Sequence, residues 1–350
     1  MAKRFSINNK EISPKESPFL IAEISGNHKQ DIKHAKKLIK AAVDAGADAV
    51  KLQTYTPDTL TLPVDAPDFY ENNTLWNGRH LYDMYQEGMT PWEWLPELNR
   101  FAQELGTTLF STPFDETAVD YLEKAINPVL YKVASLEINH LPLLRHIGKT
   151  QKPVLLSTGM ATEKEIHVAI DTLYTAGTPS IVLLKCVSAY PADPTDFNLR
   201  SIPAMASKFN CLIGLSDHSL GNEIAISAIT LGACVIEKHI VMDRNDGSLD
   251  AGFALEPEEF KQLANALKLV YKAFGTDKIG PTQQEESRLR FRRSIFVSQD
   301  IKKDEVFTPQ NIKIIRPATG LHPIFWESLL GQKAKQDLPA GTPLTKAHLP

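Results

Sequence analysis

A chain of 350 residues is long enough for one large domain or two unequal ones, because a single core stops growing at about 250 to 300 residues. Its 43% hydrophobic and 23% charged residues lie near globular averages, which excludes collagen-like, mucin-like and wholly disordered chains. Lys and Arg number 38 against 42 Asp and Glu, a formal net charge of -4, so the chain is not built to coat nucleic acid or an acidic membrane and must hold any anion locally.

The N-terminal stretch 1–16 has no apolar run long enough for a signal sequence, and no 18-residue apolar run occurs anywhere. Cys186, Cys211 and Cys234 each sit in an apolar run with no C-x-x-C pair, the pattern of reduced, buried thiols. A cytoplasmic protein is expected.

Eight short apolar runs recur over the first 240 residues, at 19–24, 48–53, 107–112, 129–134, 153–158, 180–185, 211–216 and 233–238. Amphipathic stretches such as DIKHAKKLIKAAVDAGAD and ATEKEIHVAIDTLYTAG separate most of them, with apolar positions three and four apart. Near-continuous apolar strands need both faces covered, and alternation with helices makes them parallel. The pattern predicts an α/β fold, a (β/α)8 TIM barrel, with a doubly wound open sheet as the alternative. The polar residues favour the barrel, because every run ends in one and a barrel gathers those ends at its C-terminal mouth.

Between Thr54 and Thr90 the spacing breaks, and the insertion carries Phe69, Tyr70, Trp76, Tyr82 and Tyr85. A loop of that length serves either as a structured excursion packing its aromatics on the barrel or as a substrate lid. A helix is predicted over 256–274, then a linker rich in Gly, Pro and charge, then β-like segments (SIFVSQDI, KIIRPATG, AKQDLPAGTPL). The expected organisation is a barrel over 1–275, a linker over 276–293 and a small, mainly β domain over 294–350. A module of that size is marginal alone and should dock on the barrel or on a partner subunit.

Lys51, Lys132, Lys185 and Lys238 end four different strands, and side chains two apart share a face, so Lys51 goes with Gln53 while Lys238 opposes Glu237 and His239. Singly each lysine reads as a solvated strand end. Taken together, Lys51, Lys132 and the turns STP (111–113) and STG (157–159) predict a phosphate or carboxylate site. His218 and His239 close the seventh and eighth runs, neighbours in a barrel, beside Asp217 and Glu237; two imidazoles with open positions suit Mn²⁺ or Mg²⁺ acting as a Lewis acid. Glu137, Tyr190 and Asp250 follow other strands and are candidate contacts to a polyhydroxylated substrate. The residues by themselves thus describe a metal-assisted barrel enzyme that binds a small phosphorylated anion.

The segments IAEISGNH (21–28), GADAVKLQTYTPDTLT (46–61), LFSTPFD (109–115), YKVASLEI (131–138), LSTGMAT (156–162), KCVSAYPA (185–192), GLSDHS (214–219) and ACVIEKHIVMDRNDGSLDAGFAL (233–255) resemble the sialic acid synthase family. Residues 294–321 resemble its antifreeze-like (SAF) domain, and TLWNGRHLYDMYQEGMTPWEW (74–94) is similar to the insertion of the pseudaminic acid branch. The resemblance implies condensation of phosphoenolpyruvate with an amino sugar, here 2,4-diacetamido-2,4,6-trideoxy-L-altrose, to give a nine-carbon keto acid and phosphate. It implies that Lys51, Gln53, Lys132, Ser135, Ser157, Ser188 and Ser216 cradle phosphoenolpyruvate, with Ser188 standing where the sialate branch has Asn. His218 and His239 match the metal ligands, Glu137, Tyr190 and Asp250 the sugar contacts, and Glu23 an active-site carboxylate placed to orient or deprotonate water. Arg316 matches an arginine that one subunit inserts into the other's active site, which implies a domain-swapped homodimer. Three other readings remain: an N-acetylneuraminate or legionaminate synthase, a non-catalytic sugar- or ice-binding protein using the C-terminal module, and a divalent-metal aldolase that releases no phosphate.

Overall fold

The computed structural model describes residues 5–7, 10–72 and 75–349. The chain divides into two compact units, Met1–Gly275 and Thr276–Pro350.

The first unit opens with an antiparallel hairpin, β1 (Phe5–Ile7) and β2 (Lys10–Ile12). Eight parallel strands follow: β3 (Phe19–Glu23), β4 (Ala49–Thr54), β5 (Thr108–Pro113), β6 (Tyr131–Val133), β7 (Val154–Ser157), β8 (Ile181–Cys186), β9 (Leu212–Asp217) and β10 (Val235–His239). They match the eight apolar runs to within about two residues, the usual slack at strand ends. Their order, β5-β4-β3-β10-β9-β8-β7-β6, pairs sequence neighbours throughout and closes β10 onto β3. The two ends, β5 and β6, lie side by side, so the sheet curls into a barrel with its ladder interrupted at that seam. A doubly wound sheet would reverse its strand order midway, and this one does not.

Side-chain alternation sorts the core into two shells. Phe19, Ile21, Ala49, Phe110, Leu130, Leu155, Val182, Leu184, Leu212 and Val235 form the barrel interior, whereas Leu20, Ala22, Val50, Leu52, Leu109, Tyr131, Val133, Leu156 and Leu183 pack outward against helices. Ile7 and Ile12 of the hairpin join the interior cluster, next to the N-terminal starts of the strands. Three-residue strands are too short to show a period, so the hairpin has no counterpart among the predicted elements.

Helix ends follow local chemistry. Asp115 caps Glu116–Ala125 by accepting from the Thr117 and Ala118 N–H groups, and Thr162 with Glu165 forms a reciprocal capping box on Glu163–Ala176. That helix stops at Gly177, whose φ of 121° a side chain would resist. The insertion folds into short helices, Pro57–Leu60 and Leu81–Gly88.

In the second unit β11 (Ser294–Val297) pairs antiparallel with β12 (Ile312–Ile315) over a core that includes Ile295, Val297, Phe307 and Leu344. The expected third β-like segment, 334–344, contributes isolated bridges, Ile301 to Leu338 and Phe296 to Pro343, and no strand. Pro339, Gly341 and Pro343 are the reason, since proline cannot donate to a ladder.

Candidate active site

The barrel mouth is built by parity. Each inward position of the interior shell is followed two residues on by another inward side chain, which places Glu23, Lys51, Gln53, Thr112, Lys132, Ser157, Cys186, Ser216, Glu237 and His239 on the inner face. The same rule turns Lys238 and Asp217 outward, where they pair at 2.8 Å, and Lys185 likewise alternates with the inward Leu184 and Cys186. None of these three lines the cavity, which is about 310 Å³ in volume.

Lys51 and Lys132 form its cationic floor, 4% and 3% exposed. Lys51 pairs with Glu23, donates to Thr112 Oγ1 at 3.0 Å and lies 3.7 Å from Glu237 Oε1. Lys132 donates to the Val133 carbonyl at 3.0 Å and lies 3.9 Å from the same Glu237 oxygen. Burial disfavours both ammonium groups; for Lys51 the carboxylates of Glu23 and Glu237 outweigh it and raise the pKa, while Lys132 stays lowered. Glu237 is held ionised against its own burial by Lys132, Lys51 and His218. Burial pushes the Glu23 carboxyl up to about 7 despite Lys51. The floor thus sets the Lys51 ammonium and the Lys132 amine, whose charge burial disfavours, against the Glu237 carboxylate and the raised Glu23 carboxyl, and an incoming anion would favour the charged form of Lys132.

Beside the lysines, Ser157 Oγ and Ser188 Oγ are buried without hydrogen-bond partners. Ser135 Oγ accepts from Gly159 N–H at 3.0 Å, and Ser216 donates to Glu237 Oε1 at 3.1 Å. A Cβ on Gly159 would meet Ser188 Oγ at 2.4 Å and Ser135 Oγ at 2.8 Å, so this turn needs glycine for close approach. Orphaned hydroxyls around two buried cations are a ready anion cradle.

The two imidazoles meet edge to face, ring centroids 5.3 Å apart. His218 Nδ1 contacts the Val187 carbonyl at 2.9 Å, which leaves Nε2 as its free nitrogen. Burial opposes its charge, but Cys186 and that carbonyl raise its pKa overall. His239 is driven well below its ordinary value by burial and nearby cations, and its Nδ1 is buried and unbonded, 3.6 Å from Asp250 Oδ2. A neutral, orphaned imidazole nitrogen beside a second imidazole fits a divalent cation with open positions. Among the described residues no group of three or more His, Cys, Asp and Glu side chains is arranged to hold one, so the donor set ends at the imidazole pair.

Glu137, Tyr190 and Asp250 also line the cavity. Burial lifts Glu137 to about 7 and leaves its Oε2 unpartnered. Asp250 is raised by burial, and its loop is anchored by Asn27, whose Oδ1 accepts from Asp250 N–H and whose Nδ2 donates to the Ile240 carbonyl. Glu23 faces inward yet does not line the cavity: its oxygens accept from Ser25 N–H and pair with Lys51. Arg316 is exposed in the second unit, just past β12. The structure adds lining residues that the sequence reading lacks, chief among them Cys186, Phe253 and Leu249. Cys186 alternates with Val182 and Leu184 and was legible by parity, whereas Phe253 ends a three-residue 3-10 turn, Ala251–Phe253, too short to carry a periodic signal.

Among the described residues no helix is long and apolar enough to cross a membrane. Residues 38–279 match the NeuB family and residues 292–350 match the SAF domain. The chain is 42% identical over 329 residues to the pseudaminic acid synthase of Campylobacter jejuni strain 81-176, covering 94% of this chain and 96% of that one. It is also 42% identical to the pseudaminic acid synthase of Helicobacter pylori, over 94% and 97% of the two chains. The crystal structure of an N-acetylneuraminic acid synthetase from Leptospira borgpetersenii in complex with citrate superposes with a TM-score of 0.73 at 30% identity, over 83% and 97%. On the match over 38–279 and these full-length similarities, the chain belongs to the NeuB family, with a C-terminal SAF domain.

Proposed function

We propose that the protein condenses phosphoenolpyruvate with 2,4-diacetamido-2,4,6-trideoxy-L-altrose to give pseudaminic acid and inorganic phosphate. The observation that carries this reading is the cradle: two buried lysines that line one cavity with the unpartnered hydroxyls of Ser157 and Ser188.

Lys51, Lys132, Ser135, Ser157, Ser188 and Ser216 hold phosphoenolpyruvate, with Gln53 at the edge of the same face. Glu137, Tyr190 and Asp250 orient the open-chain sugar. His218 and His239 hold Mn²⁺ or Mg²⁺, which when bound supplies a Lewis acid for the sugar aldehyde oxygen. The methylene carbon of phosphoenolpyruvate bonds to the aldehyde carbon, leaving positive character at C2. Water adds to C2 as its proton passes to the alkoxide left by the aldehyde, and the tetrahedral adduct collapses to the C2 ketone with C–O cleavage, its hydroxyl proton leaving with the phosphate. Lys51 and Lys132 stabilise the charge that gathers on the departing phosphate. Glu23, with its oxygens committed to Ser25 and Lys51, acts by fixing the Lys51 ammonium rather than by meeting the water itself.

The barrel is assigned to 1–275, the linker to 276–293 and the SAF domain to 294–350. The active form is a domain-swapped, cytoplasmic homodimer in which Arg316 of one subunit completes the sugar site of the other. Incubation with phosphoenolpyruvate, Mn²⁺ and the altrose derivative should release phosphate and yield a nine-carbon acid of the expected mass. Preference for N-acetylmannosamine or a legionaminate precursor would replace the branch, and no condensation with any amino sugar would reject the family reaction.

A further inference from the structure

The Lys238 and Asp217 side chains are 2.8 Å apart and both 0% exposed, on the outer face of the barrel, and neither lines the cavity. Burying such a pair rarely gains stability over apolar side chains of the same size, because the loss of water offsets the attraction. What it does fix is geometry. Lys238 stands opposite Asp217 at the last register position of the β9–β10 ladder, and each is followed at once by an imidazole, His239 and His218. His239 is set within β10 by its pairing with β3, but His218 lies past the end of its ladder to β10. Ser219 takes the place of that ladder. Asp217 Oδ1 accepts from the Ser219 N–H at 2.8 Å and from its hydroxyl at 2.6 Å, while Lys238 donates to the Ser219 carbonyl at 2.6 Å. The residues on both sides of His218 are thus tied to β10 by charge-assisted hydrogen bonds, with Ser219 itself 0% exposed.

The remaining contacts of His218 run the other way. Its carbonyl accepts from Ala192 N–H at 3.0 Å and its Nδ1 contacts the Val187 carbonyl, and both partners belong to the chain that follows β8. Those contacts hold His218 against β8, which leaves its distance from His239 to the Lys238–Asp217 pair. We propose that this buried pair, together with Ser219, is a staple that sets the separation of the His218 and His239 imidazoles and thereby the affinity of the site for a divalent cation. Two imidazoles are a sparse donor set, so their spacing carries much of that affinity, and outer partners that orient metal ligands change it by about 10- to 100-fold. Lys238, Asp217 and Ser219 are positioning residues, since they act through the imidazoles and lie outside the cavity. This rests on the assignment of the two imidazoles as metal ligands and adds what holds them in place.

The test is calorimetric titration of Mn²⁺ alone into the full-length, metal-free protein, with urea unfolding of the same samples. Asp217→Leu combined with Lys238→Met removes both charges at once and fills their space with carbon, a replacement that commonly leaves stability equal or higher. The double variant should keep or exceed the parent urea midpoint and bind Mn²⁺ about 10- to 100-fold more weakly. Ser219→Ala keeps the ion pair and both backbone hydrogen bonds and removes only the hydroxyl donor to Asp217, so it should weaken binding by about three- to tenfold. Titration reads stoichiometry apart from affinity, so a variant that folds in part still reports on the chains that fold. Parent affinity in the double variant overturns the staple, and so does a stoichiometry that falls while the affinity stays. Where the double variant loses its fold or its midpoint, Ser219→Ala decides, and parent affinity there overturns the staple. A parent protein that binds no Mn²⁺ overturns the metal assignment together with the staple, whereas parent binding that none of the variants alters overturns the staple alone.

Discussion

A methyl group built on Gly159 stands 2.4 Å from Ser188 Oγ, inside the space where the serine cradle opens. The backbone there has no positive φ, so alanine meets no conformational penalty and acts by occupancy. Gly159→Ala should lower the urea midpoint modestly, because the Ser135 and Ser188 side chains must shift to make room, and should raise the KM for phosphoenolpyruvate about 10- to 100-fold, the scale of a lost hydrogen bond to a charged group. Steady-state kinetics alongside urea unfolding separates the two effects, and a loss of stability with normal KM would contradict the cradle.

The two floor lysines should differ in what their loss does. Lys51→Met strands the buried carboxylates of Glu23 and Glu237, and breaking such a pair destabilises by about 3–5 kcal/mol. Lys132→Met removes a cation that burial already disfavours, so stability falls less. Each variant should lose about 100- to 1,000-fold in kcat, since each cation faces the charge that develops on phosphate. Denaturant titration ranks their stabilities, and phosphate release ranks their rates.

Glu137 makes stability depend on pH in a direction unusual for a carboxylate. Its folded pKa, about 7, exceeds the ordinary value of 4.5, so between those limits the folded chain keeps a proton that the unfolded chain has lost. Stability should fall as pH rises through that window and level off above it. Glu23, also raised to about 7, contributes in the same sense. Glu137→Gln should flatten part of the slope in urea midpoints measured across the window, and an unchanged slope would mean that the carboxyl is not held neutral.

Removal of either imidazole should abolish tight divalent binding. Calorimetric titration of Mn²⁺ into the parent should give one site per chain, lost in His218→Ala and in His239→Ala. Binding should weaken as pH falls through the raised range of His218, where protons compete for its imidazole nitrogen. Full turnover in either variant after chelation would remove both residues from the metal assignment.

Arg316 supplies a test of trans action. Mixed subunits carrying Lys51→Met and Arg316→Ala should recover part of the parent activity, because half of the exchanged sites then hold both residues. No recovery would mean that Arg316 works within its own chain or not at all.

Much of this protein was legible in its sequence because strand and core impose a period. The eight apolar runs located the barrel strands, and the polar residues at their ends located the mouth. Lys51 and Gln53 share a face two residues apart, and Lys238 falls on the opposite face from Glu237 and His239, by strand geometry alone. Parity, applied further, also separates Cys186 from Lys185. The hairpin β1–β2 and the fate of 334–344 were not legible, since three-residue strands and proline-broken segments leave no repeat to read.

What the chain order determined, then, is which side chains point inward, because alternation in a buried parallel strand has only two outcomes. What tertiary structure alone decided is which inward groups reach the cavity and what charge they carry there. Glu23 and Glu237 both face inward, yet closure of β10 onto β3 brings Lys51 between them, ties Glu23 beneath it and leaves one Glu237 oxygen unpartnered at the surface of the pocket. That sorting depends on distances of a few ångströms between residues more than 180 positions apart in sequence, and on loss of water that no local pattern encodes.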